Sequence, residues 1–477
     1  MSGTARRWLR EEVALRVVYE DHSAFGAALS GRCEAELHKR LAVLHAYRQK
    51  YGLQRLISES AQVLGRVLPG ALADLYATPD TLRADWLYPD PGRVRPAYLR
   101  VESSLDDSQP LIPLPPALAA ELADWLGAWQ AGAAPPRSAV PRALWEALCE
   151  RDAFSDAPPA SESLPAPGMS MVGHATLRAT DGQRQALFDP FLLPRASVYP
   201  ADWQPASAAS LGQPDAVFIT HSHPDHFDPC SLLRFGAEVP VFVPAVARES
   251  VLAIDMQRRL LELGFRQVHA LAPGACRTVG ELEIEALPFF GEQPTIEAVL
   301  HPEVRNIGLT YAVRYRAERI AVLADSGADH TGDVRHMVSA ARARRGDFTR
   351  VFGGYRGFAV YPVQYLFSSV SRYLPFVPPA LWNARQQIMC DATALLDVAE
   401  RAGASRVVPY ADGGAPWFWL RGLGPNLDSG DAAAMATDPP PSHVADVARQ
   451  RAHTLADGPL ASPVTVDLPR VGDHLPF

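Results

Sequence analysis

The sequence predicts a layered α/β fold, two sheets with helices on their outer faces, preceded by a mainly helical N-terminal domain. Three observations predict it. From Gly168 onward, short stretches of period-two or continuous apolar character alternate with amphipathic segments, the pattern of strands and crossover helices. A proline-rich stretch from Asp156 to Gly168, with Pro158, Pro159, Pro165 and Pro167, sets that region apart, because proline cannot supply helix or ladder hydrogen bonds. Finally, 477 residues at 48% hydrophobic and 21% charged are enough for more than one packed core. The expected division is residues 1–155, an N-terminal domain; 156–168, a linker; 169–426, the α/β domain; and 427–477, a Pro- and Asp-rich tail.

Within the first region, Ala35 to Tyr51 and Leu118 to Trp129 space apolar residues by three and four and read as helices, as does Pro141 to Leu148. Ala97 to Glu102 reads as a strand between them. A strand followed by two helices resembles a small helix-plus-wing module, which could hold a peptide or a carrier protein; amphipathic helices also simply fill a core, and both readings stand. In the second region Met169 to Ala179 and Gln185 to Leu192 read as strands joined across Thr180-Asp-Gly182, a hairpin signal. Asp215 to Thr220 is a buried strand, Ala247 to Gly264 a helix, and Glu281 to Leu287 a half-exposed strand. Ile307 to Tyr315 and Arg319 to Ala324 continue the series. The tail carries one short helical stretch, about Val444 to Leu455.

Charge and cysteine usage exclude some functions. A net charge of -8 with pI near 6.0 lacks the clustered basic excess that nucleic acid requires. No run approaches the roughly 18 apolar residues of a membrane span. The five cysteines (Cys33, Cys149, Cys230, Cys276, Cys390) are odd in number, with no C-x-x-C pair, and read as free thiols. With no signal-peptide pattern at Met1, the expected location is cytoplasmic.

The chemistry concentrates after the strand ending at Thr220, in His221-x-His223-x-Asp225-His226. Three imidazoles and a carboxylate on one loop can converge, because a loop obeys no helical or strand period. These donors suit zinc, iron or manganese. Asp325, closing the apolar run Ile320 to Ala324, is a second candidate, since a carboxylate at the end of a buried strand is costly unless it meets a cation or hydrogen-bond donors. Capping of the following turn is the structural alternative.

This segment resembles the H-x-H-x-D-H motif of the metallo-β-lactamase superfamily, over roughly residues 169 to 420, and Gly173-His174-Ala175-Thr176 with Phe188-Asp189-Pro190 resembles its ascorbate-lactonase-like and phospholipase D-like branch. The resemblance implies a four-layer αββα sandwich and two metal ions. His221 and His223 would hold the first, Asp225 and His226 the second, with Asp325 bridging and Asp189 bracing the loop. His174 would lie near the site, as a substrate contact or as a buried structural residue. Hydrolytic members place a His where this chain reads Leu287-Pro-Phe-Phe-Gly-Glu292, so Glu292 takes that position. Asp412 is the candidate where the last ligand is usually His.

A Glu-for-His exchange hardens the first site and favours iron over zinc or manganese. The exchange and the two-domain layout resemble the di-iron β-hydroxylase type of chloramphenicol biosynthesis, which acts on an amino acid tethered to a carrier protein. Two readings follow. One is an oxygen-activating di-iron oxygenase or hydroxylase acting on a small-molecule or carrier-tethered substrate. The other is a hydrolase of an ester, lactone, amide or phosphodiester, in which a metal lowers the pKa of water to about 7 and Asp225 or Asp325 orients it. The aromatic-rich run from Gly353 to Trp382 suits an insert over the pocket, with Arg356 or Tyr361 touching substrate; packing is the alternative.

Overall fold

The computed structural model describes residues 6–19, 97–103, 111–160, 162–195, 205–250, 252–294, 305–357, 359–362, 384–411, 439–455 and 464–477, with short pieces between 46 and 82 and single positions 373, 377 and 381. In the N-terminal region, β1 (Val13–Tyr19), β2 (Ala97–Ser103) and β3 (Leu111–Leu114) form an antiparallel sheet beside α1 (Leu122–Gln130) and α2 (Ala139–Cys149). That is more β-structure than the single strand expected there. The expected helix at Leu118 to Trp129 is broken: one turn, Pro116–Ala119, ends before α1 begins at Leu122. Most of the expected Ala35 to Tyr51 helix lies outside the described residues.

Two seven-stranded sheets make the centre of the molecule. The first holds β4 (Gly168–Gly173), β5 (Thr176–Thr180), β6 (Gln185–Phe188), β7 (Ala216–Phe218), β8 (Val241–Pro244) and β9 (Val268–Leu271). The second holds β10 (Cys276–Val279), β11 (Leu282–Pro288), β12 (Leu309–Tyr315), β13 (Glu318–Val322), β14 (Arg350–Gly353), β15 (Arg406–Pro409) and β16 (Thr465–Val466). The segment β17 (His474–Pro476) returns to the first sheet and pairs with β4. The spatial orders are β9-β8-β7-β6-β5-β4-β17 and β10-β11-β12-β13-β14-β15-β16.

Alternation along the strands decides the layers. Phe188, Phe218, Tyr311, Ile320 and Val322 face the gap between the sheets, whereas their neighbours Leu187, Val217, Ala321 and Leu323 face outward. Phe188 and Phe218 stack at 5.5 Å and both meet the Tyr311 ring. Each such buried side chain contributes about 1.5–3 kcal/mol. The outer face of the second sheet is covered by α5 (Val334–Arg345) and α6 (Ala392–Ala402), with α7 (Ser442–Leu455) against α6. The outer face of the first sheet shares one apolar core with α4 (Met256–Glu262) and with Leu9, Val13, Leu99, Leu126, Trp129 and Trp145 of the N-terminal region. Gly127 of α1 approaches so closely that a Cβ there would lie 2.5 Å from the Gly236 Cα.

Three expected elements are corrected. Met169 to Ala179 is two strands, since the chain reverses at His174-Ala175, where His174 takes φ +43°. No Gly-Asn or Pro-Gly signal marks that turn. The strand beginning at Gln185 ends at Phe188, because Asp189 is left-handed at φ +43° and Pro190 follows. The helix expected over Ala247 to Gly264 starts only at Met256, capped by the Asp255 carboxylate, which accepts from the Arg258 N–H.

Candidate metal centre

Register places the site. Parallel pairing sets Phe188 beside Phe218, so the residues leaving β6 and β7 emerge together at the carboxyl ends of the strands. Asp189 therefore meets Thr220: the Thr220 N–H donates to Asp189 at 2.7 Å and its hydroxyl at 2.6 Å. Asp189 also lies 2.8 Å from His226 Nδ1 and is wholly buried. Burial pushes its carboxyl up, and His226 and the two Thr220 donors work against that. Downstream, Asp228 caps the single-turn helix α3 (Pro229–Leu232), accepting from the N–H groups of Cys230 and Ser231. The loop 221–228 is thus anchored at both ends, and its middle is turned by the N–H groups of His226 and Phe227 donating to the His223 carbonyl.

The second sheet brings the opposing carboxylates. Asp325 follows β13 after Ala324, whose φ is +46° and whose N–H donates to the buried Tyr410 hydroxyl at 2.9 Å. Glu292 sits at φ +54° with its N–H donating to the Ile388 carbonyl at 2.7 Å. Only glycine fits before it: a Cβ on Gly291, at φ +87°, would stand 2.6 Å from that carbonyl. His174, Asp189, Glu292 and Ala324 are four of the seven left-handed non-glycine residues among those described. Such conformations cost on the order of 1–3 kcal/mol each and persist where surrounding structure fixes them, often at functional sites.

Three overlapping clusters result, each with donor atoms within 4.8 Å of one another: His221, His223 and Glu292; His221, His226 and Asp325; His174, Asp225 and His226. The shortest approaches are His223 Nδ1 to Glu292 at 2.7 Å, His174 Nε2 to Asp225 at 2.8 Å and His226 Nε2 to Asp325 at 3.1 Å. The Asp225 side chain is 30% exposed and marks the open side, whereas His226 is fully buried. Burial disfavours the charged form of His226, yet Asp325, Asp225 and Asp189 outweigh it and hold the imidazole well above its ordinary range. His221 goes the other way, depressed by burial and then by His226 and His223. Burial pushes Glu292 up, with His223 opposing.

The donor set fits cations. His221 Nε2 and Asp325 Oδ1 are buried without a hydrogen-bond partner, an expensive arrangement unless an ion takes the lone pairs. All donors are nitrogen or oxygen, which suits borderline and hard metals. Each loop imidazole turns one nitrogen toward the clusters and rests the other on a fixed partner: His221 Nδ1 on the Thr220 hydroxyl at 3.0 Å, His226 Nδ1 on Asp189, and His223 Nε2 on the Tyr373 hydroxyl at 2.6 Å. Tyr373 and Tyr410 have no sequence signature; both arrive from distant segments. Of the other expected contacts, Arg356 forms a backbone bridge to Asp391, and Tyr361 is half-buried beyond the strand Ala359–Val360. Asp412 lies outside the described residues.

Two sheets face to face, helices outside, and an H-x-H-x-D-H loop at their carboxyl edge constitute the metallo-β-lactamase fold. Residues 184–355 match the family model of the beta-lactamase superfamily domain. Among proteins of known role the chain is 32% identical over 184 residues to the 4-amino-L-phenylalanyl-[CmlP-peptidyl-carrier-protein] 3-hydroxylase of Streptomyces venezuelae. That stretch spans 36% of this chain and 32% of the hydroxylase, so the chain covers about a third of the length of the relative it matches. In three dimensions it is similar to CmlA, a diiron β-hydroxylase from Streptomyces venezuelae, with TM-score 0.63 at 16% identity over 98% of this chain and 99% of that one. A mutant of the CmlA β-hydroxylase superposes with TM-score 0.58 at 16% identity, covering 93% and 97%. At such identity these likenesses establish the fold. Among the described residues no helix is long and apolar enough to cross a membrane.

Proposed function

We propose that this chain is a dinuclear, oxygen-activating iron enzyme, a hydroxylase whose substrate is an amino acid presented by a carrier protein. The observation that carries this reading is Glu292, a buried carboxylate 2.7 Å from His223 Nδ1 where hydrolytic relatives of the fold place an imidazole. An anionic oxygen donor favours iron, above all in its higher oxidation state. The diiron and carrier-protein chemistry in the names of the similar proteins supports the same reading. His221, His223 and Glu292 would hold one metal; Asp225, His226 and Asp325 the other, with Asp412 as a further ligand. When bound, the irons supply the binding and reduction of dioxygen. The net reaction places one oxygen atom in a substrate C–H bond and releases the other as water, consuming two protons and two electrons from an external reductant.

The chain's own groups have distinct tasks in this scheme. Asp189 orients His226, and the Phe289 ring stacked on His221 at 5.0 Å keeps water from the inner side. Asp225, on the open side and hydrogen-bonded to His174, is placed as an anion near the substrate: burial pushes its carboxyl up, but His226, His174 and His223 outweigh that and hold it well below the usual range. Arg356 and Tyr361 are proposed substrate contacts, the N-terminal region the carrier's seat, and the cytoplasm the location. Metal analysis of purified protein is expected to find about two irons per chain and a visible absorption that bleaches on reduction. Zinc alone, with ester, lactone or phosphodiester turnover that disappears in His223→Ala, would replace the hydroxylase by a hydrolase.

A further inference from the structure

Tyr373 is absent from the expected site residues, yet its hydroxyl touches one of them. Its hydroxyl lies 2.6 Å from His223 Nε2, its ring is 5.8 Å from the imidazole, and the residue is 1% exposed. The opposite nitrogen, Nδ1, faces Glu292. A metal ligand must offer a bare lone pair, so when His223 serves through Nδ1 its proton must reside on Nε2, and that N–H needs an acceptor in a buried place. The Tyr373 hydroxyl is the group in position.

We propose that Tyr373 is a positioning residue that holds His223 in the Nε2–H tautomer, with Nδ1 free for the metal shared with His221 and Glu292. The inference rests on reading the clusters as a two-metal site. It also gives the two metals different supports. His226 leans on the Asp189 carboxylate, an anion that raises the basicity of the ring. His223 leans on a neutral phenol, which fixes the tautomer but donates less charge. The phenol adds no anion beside Glu292, which already carries the negative charge on that side. Its hydroxyl can also reverse: with the site empty, His223 can donate from Nδ1 to Glu292 while Tyr373 donates to Nε2. A carboxylate in place of Tyr373 could not do this without protonation.

The test uses the full chain, wild type and Tyr373→Phe, titrated with Co²⁺ against a chelator, together with nitrogen-15 imidazole spectra of the Zn²⁺-loaded proteins. The expected result is two bound equivalents in wild type. In Tyr373→Phe one equivalent weakens by about 10–100-fold while the other keeps its affinity. His223 should show Nδ1 coordination and an exchange-protected Nε2–H in wild type, with that proton exposed to exchange in the variant. Equal affinities and unchanged His223 signals in the variant would overturn the role of Tyr373 while leaving the two-metal site standing. Wild-type spectra with His223 bound through Nε2 overturn it without any variant, so a poorly folding Phe substitution does not shield the idea. Fewer than two equivalents in wild type would instead overturn the two-metal reading itself.

Discussion

The two halves of the site are built in opposite ways. The imidazole half is a single loop, residues 221–228, that follows β7 and is anchored by Asp189 at one end and by the Asp228 cap at the other. The carboxylate half is two separate residues, Glu292 and Asp325, delivered by the second sheet on left-handed backbone at Glu292 and Ala324. One half is a local motif that packing steadies. The other exists only once β11, β13 and the segment at Ile388 to Met389 have come together, and it is held by backbone hydrogen bonds. On the proposed reading, the residue that selects iron sits in the half that needs both sheets assembled.

The largest effect is expected from removing a carboxylate. Asp325→Ala should lower metal affinity by more than about a hundredfold, beyond the range seen for indirect supports, and abolish turnover; equilibrium dialysis measures it. Two metals retained at full affinity would break the comparison. Next, Glu292→His should make the two halves alike and shift the metal bound during expression from iron toward zinc, read by elemental analysis, with hydroxylation lost. Asp189→Asn keeps an acceptor for the Thr220 N–H but removes the anion from His226. Affinity should fall about 10–100-fold, and unlike Tyr373→Phe the loss should fall on the other metal. Smaller still, Tyr311→Phe removes the 2.7 Å bond to the Ile219 carbonyl that ties β12 to the strand carrying the loop, and should cost about 1–3 kcal/mol in denaturant unfolding. The smallest concerns thiols outside both halves. Burial pushes Cys230 and Cys390 up to about 12, so both stay neutral at pH 8 and should resist alkylation until the protein unfolds.

The same contrast explains what was legible in the sequence. The α/β class, the two sheets and the loop from His221 to His226 could be read because period-two alternation and clustered ligands are local patterns. Glu292 could be named only through a family resemblance, since nothing near it distinguishes a ligand from an ordinary surface glutamate. The turn at His174 was hidden because its residues carry no turn chemistry, and it is the turn that points His174 at Asp225. Tyr373 could not have been singled out from its aromatic-rich surroundings, since its role depends on meeting a histidine 150 positions away.

The shared core beneath the first sheet has a practical reading for anyone who would cut the chain. The proline-rich stretch looks like a place to divide it, but Leu9, Val13, Leu99, Leu126 and Trp129 cover the same apolar face that Val217, Val241 and Leu260 present from the other side. A fragment starting near Gly168 would turn that face toward water, and it should be recovered as an aggregate rather than as a smaller enzyme.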